Sequence, residues 1–198
     1  MDKYGTGQDP YCYPDTAVLR NLLGITDPDE LEEAERELSL INADSIEFAS
    51  PPFDLAYLKH LHRELFGDLY DWAGELRMID IAKGDTRFCN VHRIVPEAEK
   101  LFAYLARQNH FVELERTDLV HACAELYGDL NVIHPFREGN GRAQRLLFEH
   151  LIINCGYQIS WQTLQRDEWI EANIASYYCH YQPLANIFER CIGAPLAE

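Results

Sequence analysis

Leucine, isoleucine, phenylalanine and alanine recur at spacings of three and four along most of this chain, the period that gives a helix one buried face. Residues 16–23 read as a short helix closed by Gly24. Asp27 is placed to cap a longer helix, with Pro28 at its first position and Asp29, Glu30, Glu32 and Glu33 near its positive end. The apolar stripe of that helix is Leu31, Ala34, Leu38 and Ile41, and Ser50-Pro51-Pro52 breaks the chain after it. Asp54 caps the next helix, with Leu58, Leu61 and Leu65 facing inward. His60 and His62 lie two apart on it, so they diverge by about 200° at roughly 3.6 residues per turn. They suit no shared metal ion and read as surface or packing residues. Pro96 opens a helix with Ala98, Leu101, Phe102 and Leu105 inward; Thr117 caps another with Leu119, Ala122, Cys123, Leu126, Tyr127 and Leu130 inward. Ala143, Leu146, Leu147, His150, Leu151 and Asn154 predict a further helix, from near Asn140 to a stop at Gly156.

The rhythm changes over residues 78–95. Residues 78–82 suit one strand and residues 88–95 another, with Lys83-Gly84-Asp85-Thr86 supplying the turn. A two-stranded hairpin is marginal alone, so this one must lean on the domain. Its free edge suits pairing with an extended peptide. Residues 1–13 have no period and read as an irregular arm. Trp72 reads as a core anchor, and Trp161, Trp169, Tyr177, Tyr178 and Tyr181 mostly as core residues of terminal helices. The expected fold is all-α, a single compact domain with one small hairpin.

Composition narrows the class. The 198 residues suffice for one domain with a substantial core. A net charge of −16 argues against binding a nucleic-acid backbone; it suits solubility or a basic protein partner. Cys12, Cys89, Cys123, Cys155, Cys179 and Cys191 show no C-x-x-C pair and no zinc-like spacing. Cys123 and Cys155 fall in apolar helical patterns and read as buried thiols. With no signal-peptide pattern and no membrane-length apolar run, the expected location is a reducing cytoplasm.

The densest chemistry lies in residues 134–145: His134-Pro135-Phe136-Arg137-Glu138-Gly139-Asn140-Gly141-Arg142-Ala143-Gln144-Arg145. The Gly-Asn-Gly turn falls at a predicted helix start, where free N–H groups and the positive dipole end favour an anion such as phosphate. Gly139 and Gly141 permit close backbone approach. Arg142 and Arg145, three apart, project to one side and match phosphate oxygens. Glu138 stands where a carboxylate can hold Mg²⁺ against phosphates. His134, before a rigid proline, suits a general base at neutral pH. Taken singly these fragments are ordinary: a solvated arginine face, with Arg145 and Glu149 at i+4, and two loops. Together they point to transfer of a phosphorus-containing group.

The complete string resembles the Fic family motif, His-Pro-Phe-x-(Asp/Glu)-Gly-Asn-Gly-Arg-x-x-Arg, with every fixed position filled. Leu69-Tyr70-Asp71-Trp72-Ala73-Gly74-Glu75-Leu76-Arg77 resembles the segment before the family's active-site flap, and Gly84-Asp85-Thr86-Arg87-Phe88-Cys89 its tip. Residues 50–192 fit the family pattern, with residues 1–49 packed on that core; the N-terminal region resembles short bacterial Fic toxins. The resemblance implies the Fic fold, a helical bundle with a small β-hairpin flap next to the active-site loop. It implies transfer of AMP from ATP to a Ser, Thr or Tyr hydroxyl of a protein. His134 would be the base, Phe136 the inward anchor, and Glu138 the Mg²⁺ ligand. Gly139, Asn140 and Gly141 would form the anion hole, with Asn140 on the α-phosphate and Arg142 and Arg145 on the β- and γ-phosphates. The flap residues Lys83, Gly84, Asp85, Thr86 and Phe88 would dock the target. Transfer of another phosphate-containing group, or a binding module without transfer, are the alternatives.

Fic proteins of this kind are often blocked by a helix bearing (Ser/Thr)-x-x-x-Glu-(Gly/Asn), whose glutamate pairs with the second motif arginine, here Arg145. Thr26-Asp27-Pro28-Asp29-Glu30-Leu31 comes nearest, but Leu31 stands where Gly or Asn belongs, and Thr26 and Asp27 are explained as helix-start residues. The expected partners are therefore a separate small antitoxin that donates the helix and, by analogy with the short toxins, the B subunits of DNA gyrase and topoisomerase IV as targets. Neither nucleic acid nor membrane is expected as a partner.

Overall fold

A computed structural model of the protein describes residues 9–84 and 86–196, so the start of the N-terminal arm and Asp85 of the flap turn lie outside the described residues. Within them, α1 (Pro28–Ser45) begins as its sequence dictates: the Asp27 carboxylate accepts the Asp29 and Glu30 N–H groups, both at 3.0 Å. The inward face of α1 carries Leu31, Leu38 and Ser39, whereas Ile41, expected on that face, is exposed. Asp54 caps α2 (Leu55–Phe66) by taking the Tyr57 N–H at 2.7 Å, and Leu58, Leu61 and Leu65 are buried as the period requires. α3 (Ile94–Arg107) starts ahead of Pro96, which sits in the first turn where its missing N–H costs little. α4 (Arg116–Ile133) is preceded by Glu115, so Thr117 lies inside the helix rather than at its cap.

α4 is the axis of the molecule. Its Leu119, Cys123, Leu126, Tyr127 and Leu130 are buried, and α3, α5 (Asn140–Asn154), α6 (Arg166–Tyr177) and α7 (Gln182–Cys191) pack around it. Tyr11, Val18 and Leu19 join the same core as these helices. The fold is all-α with small antiparallel pairs of strands, as expected.

Several local expectations are corrected. Residues 16–23 form no helix. Pro14 and a left-handed Asp15 (φ 57°) turn the chain back, and Tyr13 N–H then bonds Val18 O at 2.9 Å while Arg20 N–H bonds Tyr11 O at 2.8 Å. The flap strands shrink to β1 (Ala82–Lys83) and β2 (Thr86–Arg87), paired Ala82 to Arg87 and Lys83 to Thr86. Beyond them the Asp80 carboxylate takes Val91 N–H at 2.7 Å, and residues 91–93 wind into a 3₁₀ turn leading to α3. A second pair, β3 (Tyr157–Ile159) and β4 (Ile192–Pro195), was not foreseen. Trp161, Trp169, Tyr177 and Tyr181 are half-buried, but Tyr178 is exposed. Cys89, Cys123, Cys155, Cys179 and Cys191 are free thiols; Cys123 is fully buried and Cys155 half-buried. No helix among the described residues is long and apolar enough to cross a membrane.

Candidate active site

The motif occupies the loop from α4 to α5. His134 ends α4 in the left-handed region (φ 48°), and its N–H still closes on Leu130 O at 3.2 Å. Its Nδ1 lies 3.2 Å from Asn131 O. A carbonyl only accepts, so Nδ1 carries the proton and Nε2 keeps its lone pair. Phe88 of the flap stacks on the ring, centroids 3.8 Å apart. Burial, and then the cations Arg77 and Lys83, lower the His134 pKa to about 3 against the opposing Asn131 bond. At neutral pH the ring is therefore uncharged, the form a general base needs.

The loop beyond is braced from three sides. Phe136 is fully buried and stacks on His62 at 3.8 Å. The Asn140 side chain reaches back over it: Oδ1 accepts Phe136 N–H and Nδ2 donates to Phe136 O, each at 2.8 Å. Asn140 lines the cleft, but that oxygen and one amide hydrogen are committed to the loop, leaving the second hydrogen for a ligand. His62, buried in α2, donates from Nε2 to Glu138 O at 2.9 Å and accepts Gly74 N–H on Nδ1 at 2.9 Å. Arg77, also buried, donates to His134 O at 2.8 Å, Ile79 O at 2.6 Å and Ile133 O at 3.3 Å, and to Cys89 O; its own N–H bonds Pro135 O at 2.9 Å. Neither His62 nor Arg77 was singled out as a site residue from sequence. His62 shares a helical face with Leu58 and Leu65, a usable signal, whereas nothing local marks Arg77.

Gly139 is required where it stands. It sits at φ 76°, and a Cβ there would fall 2.4 Å from the Phe66 ring. Its carbonyl accepts the Arg142 and Ala143 N–H groups at 3.1 Å each, so α5 starts at Asn140 and the N–H groups of its first residues precede the helical ladder.

His134, Glu138, Asn140 and Gly141 line one cleft of about 270 Å³ together with Lys83, Thr86 and Phe88 of the flap. Asn131 and Tyr127 of α4 and Trp169, Asn173 and Tyr177 of α6 form further walls. Tyr177 Oη donates to Arg87 O at 3.2 Å, tying the flap to α6. Gly84, at φ 58°, turns in open space. The two motif arginines do not line this cleft. Arg142 forms an ion pair with Glu35 of α1, donates to Ser39 Oγ at 3.1 Å and lies 4.7 Å over the Phe66 ring. Arg145 lies 5.9 Å over Trp169, with its Nη1 3.4 Å from a Cβ built on Gly141, so it stands at the cleft edge. Both arginines line a neighbouring groove between α1, α2 and α5. No group of three or more His, Cys, Asp or Glu side chains forms a metal cage among the described residues. Glu138 is a single carboxylate facing the cleft, with one oxygen 3.2 Å from Gly139 N–H. That suits Mg²⁺, which commonly takes one or two carboxylates and completes its shell with phosphate and water oxygens.

A neutral base, a helix N-terminus and a hairpin flap converging on one cleft define a helical domain built to act on a phosphorylated ligand. The model of the Fic/DOC family matches residues 52–152, and the chain belongs to that family. An Escherichia coli (strain K12) protein named probable protein adenylyltransferase Fic is 40% identical over 192 residues, spanning 97% of this chain and 96% of the relative. Protein adenylyltransferase VbhT of Bartonella schoenbuchensis is 37% identical over 192 residues, 96% of this chain but only 40% of that longer protein. Among solved structures, BepC of Bartonella tribocorum, a VirB-translocated effector with bound AMPPNP, matches with a TM-score of 0.89 at 28% identity, covering 94% of this chain and 97% of that one.

Proposed function

We propose that the protein is an adenylyltransferase that moves AMP from ATP to a Ser, Thr or Tyr hydroxyl of another protein. The observation that carries this reading is the uncharged His134, with Nε2 free, in the same cleft as the Gly-Asn-Gly turn at the α5 N-terminus. Relatives of matching length named for this activity, and a similar structure holding AMPPNP, support it.

In this reading His134 Nε2 takes the proton of the target hydroxyl. The hydroxyl oxygen bonds the α-phosphorus as the bond from that phosphorus to the bridging oxygen breaks, and pyrophosphate leaves. The first N–H groups of α5 and the positive end of the helix meet the charge that develops on the phosphoryl oxygens. The remaining Asn140 amide hydrogen serves the α-phosphate. Arg145, at the cleft edge, serves the β- and γ-phosphates; Arg142 joins it only by leaving Glu35 and Ser39. Glu138 would hold Mg²⁺, which when bound neutralises phosphate charge. Lys83, Gly84 and Thr86 present the flap edge to the target segment, while Phe88 keeps the base ring in place.

The chain is further proposed to act as the toxin of a pair in the cytoplasm. The neighbouring groove combines apolar Leu40, Ala43, Leu65 and Leu146 with Arg36, Arg142 and Arg145. An amphipathic antitoxin helix bearing (Ser/Thr)-x-x-x-Glu-(Gly/Asn) fits such a groove, with its glutamate on Arg145. The B subunits of gyrase and topoisomerase IV are the proposed targets by analogy with short Fic toxins. Labelling a lysate with tagged ATP and sequencing the modified peptide tests the target: peptides from those subunits support it, and label confined to other proteins rejects it. Expression alone should slow growth, and co-expression of the neighbouring small reading frame should restore it; harmless expression of an active chain would reject the pairing.

A further inference from the structure

We propose that Asp9 is a positioning residue for the catalytic loop, so that the N-terminal arm belongs to the active-site machinery and not merely to the packing around it. The inference rests on the transferase reading of the His134 cleft.

Arg137 lies between the inward anchor Phe136 and the metal-facing Glu138. Its side chain turns away from the cleft into the protein, where only 5% of it is exposed, and pairs with Asp9, itself 17% exposed. Nε donates to Asp9 Oδ2 at 2.7 Å and Nη2 reaches the same oxygen at 2.5 Å. The other carboxylate oxygen accepts Tyr11 N–H at 2.9 Å, which folds the arm onto itself. Tyr11 Oη then accepts Met78 N–H at 3.1 Å, next to Arg77, whose guanidinium holds the His134 carbonyl. The arm thus grips the motif loop directly through Arg137, and indirectly at the base of the flap.

Stability alone is a weak reason for such a pair. A buried ion pair is often replaceable by apolar residues at no net loss. What the pair does supply is a fixed position for the backbone between Phe136 and Glu138. The backbone on either side carries the base and the metal-facing carboxylate, and a displacement of about 1 Å in such groups can cost ~10²-fold in rate. In the transferase reading the phosphates rest on the α5 N-terminus, and the bonds of Asp9 go to Arg137 and Tyr11 instead, so the effect belongs in turnover rather than affinity.

The test uses the full chain, ATP and the modified target, with Asp9→Asn, Asp9→Glu and the exposed arm control Asp15→Asn. Asp9→Asn should lower kcat about 10- to 100-fold, leave KM for ATP within about two-fold, and speed hydrogen exchange at the amides of Phe136 and residues 138–140. Asp9→Glu should recover part of the rate, and Asp15→Asn should match the parent. Unchanged kcat and unchanged exchange would overturn the proposal. So would a loss of activity proportional to the fraction unfolded, with exchange raised evenly over the chain. If the parent itself transfers nothing, the transferase reading fails separately; the exchange at these amides then decides whether Asp9 positions the loop.

Discussion

Replacing His62 by leucine isolates the brace beneath the catalytic loop. The ring is fully buried and is bonded at both nitrogens, to Glu138 O and to Gly74 N–H. Leucine fills much of the same space but leaves that carbonyl and that N–H without a partner. Each such group costs about 1–3 kcal/mol, so the variant should lose about 2–6 kcal/mol of stability at neutral pH. For a protein of this size that is a melting temperature lower by roughly 4–24 °C. Proton linkage supplies a second signature. Burial lowers the His62 pKa from 6.5 to about 4. Between those values the unfolded chain binds a proton that the native ring does not, so native stability rises with pH across the window and is lost as pH falls through it. The gap corresponds to roughly 3 kcal/mol. Urea unfolding of both proteins from about pH 7.5 to pH 4 reads this directly. The parent should lose its advantage over the variant by roughly that amount as the pH falls. Parallel curves across the window, or a variant as stable as the parent at neutral pH, would refute the assigned bonding.

Gly139→Ala should abolish transfer and destabilise the protein, because the new Cβ meets the Phe66 ring at a left-handed φ; a fully active variant in a transfer assay would show that the turn has another geometry. Glu138→Gln should raise the magnesium concentration needed for half-maximal transfer, and an unchanged magnesium titration would remove Glu138 from that role. Because the His134 pKa is lowered to about 3, kcat/KM should not fall through protonation of this base as the pH drops from about 8 to about 5. A loss of rate centred near 6.5 that is absent from a background-corrected His134 variant would contradict the depressed value.

Much of this architecture was legible because its signals are local. Asp27 and Asp54 cap their helices through bonds to residues two or three positions away, and the inward faces of α2 and α4 follow from their period. The motif was readable for the same reason: a glycine turn before a helix specifies its own backbone. What escaped depends on distant partners. The backbone of residues 16–20 pairs with residues 11–13 instead of coiling, and Tyr157 meets Pro195 across the two helices α6 and α7. Arg142 carries the sequence of a phosphate ligand, yet Glu35 on another helix holds it. His62 reads as a surface or packing residue because its bonding partners lie in distant loops, at Gly74 and Glu138.

The central claim is that His134 activates a protein hydroxyl toward the α-phosphorus of ATP. It is tested most directly with purified protein, a hydroxyl-bearing target and ATP labelled either at the α- or at the γ-phosphate, with His134→Ala beside the parent. The account predicts covalent label on the target from α-labelled ATP only, and a rate lower by ~10²–10⁴-fold in His134→Ala while nucleotide binding persists. Label arriving from the γ-phosphate, or near-parental transfer by His134→Ala at neutral pH, would contradict it.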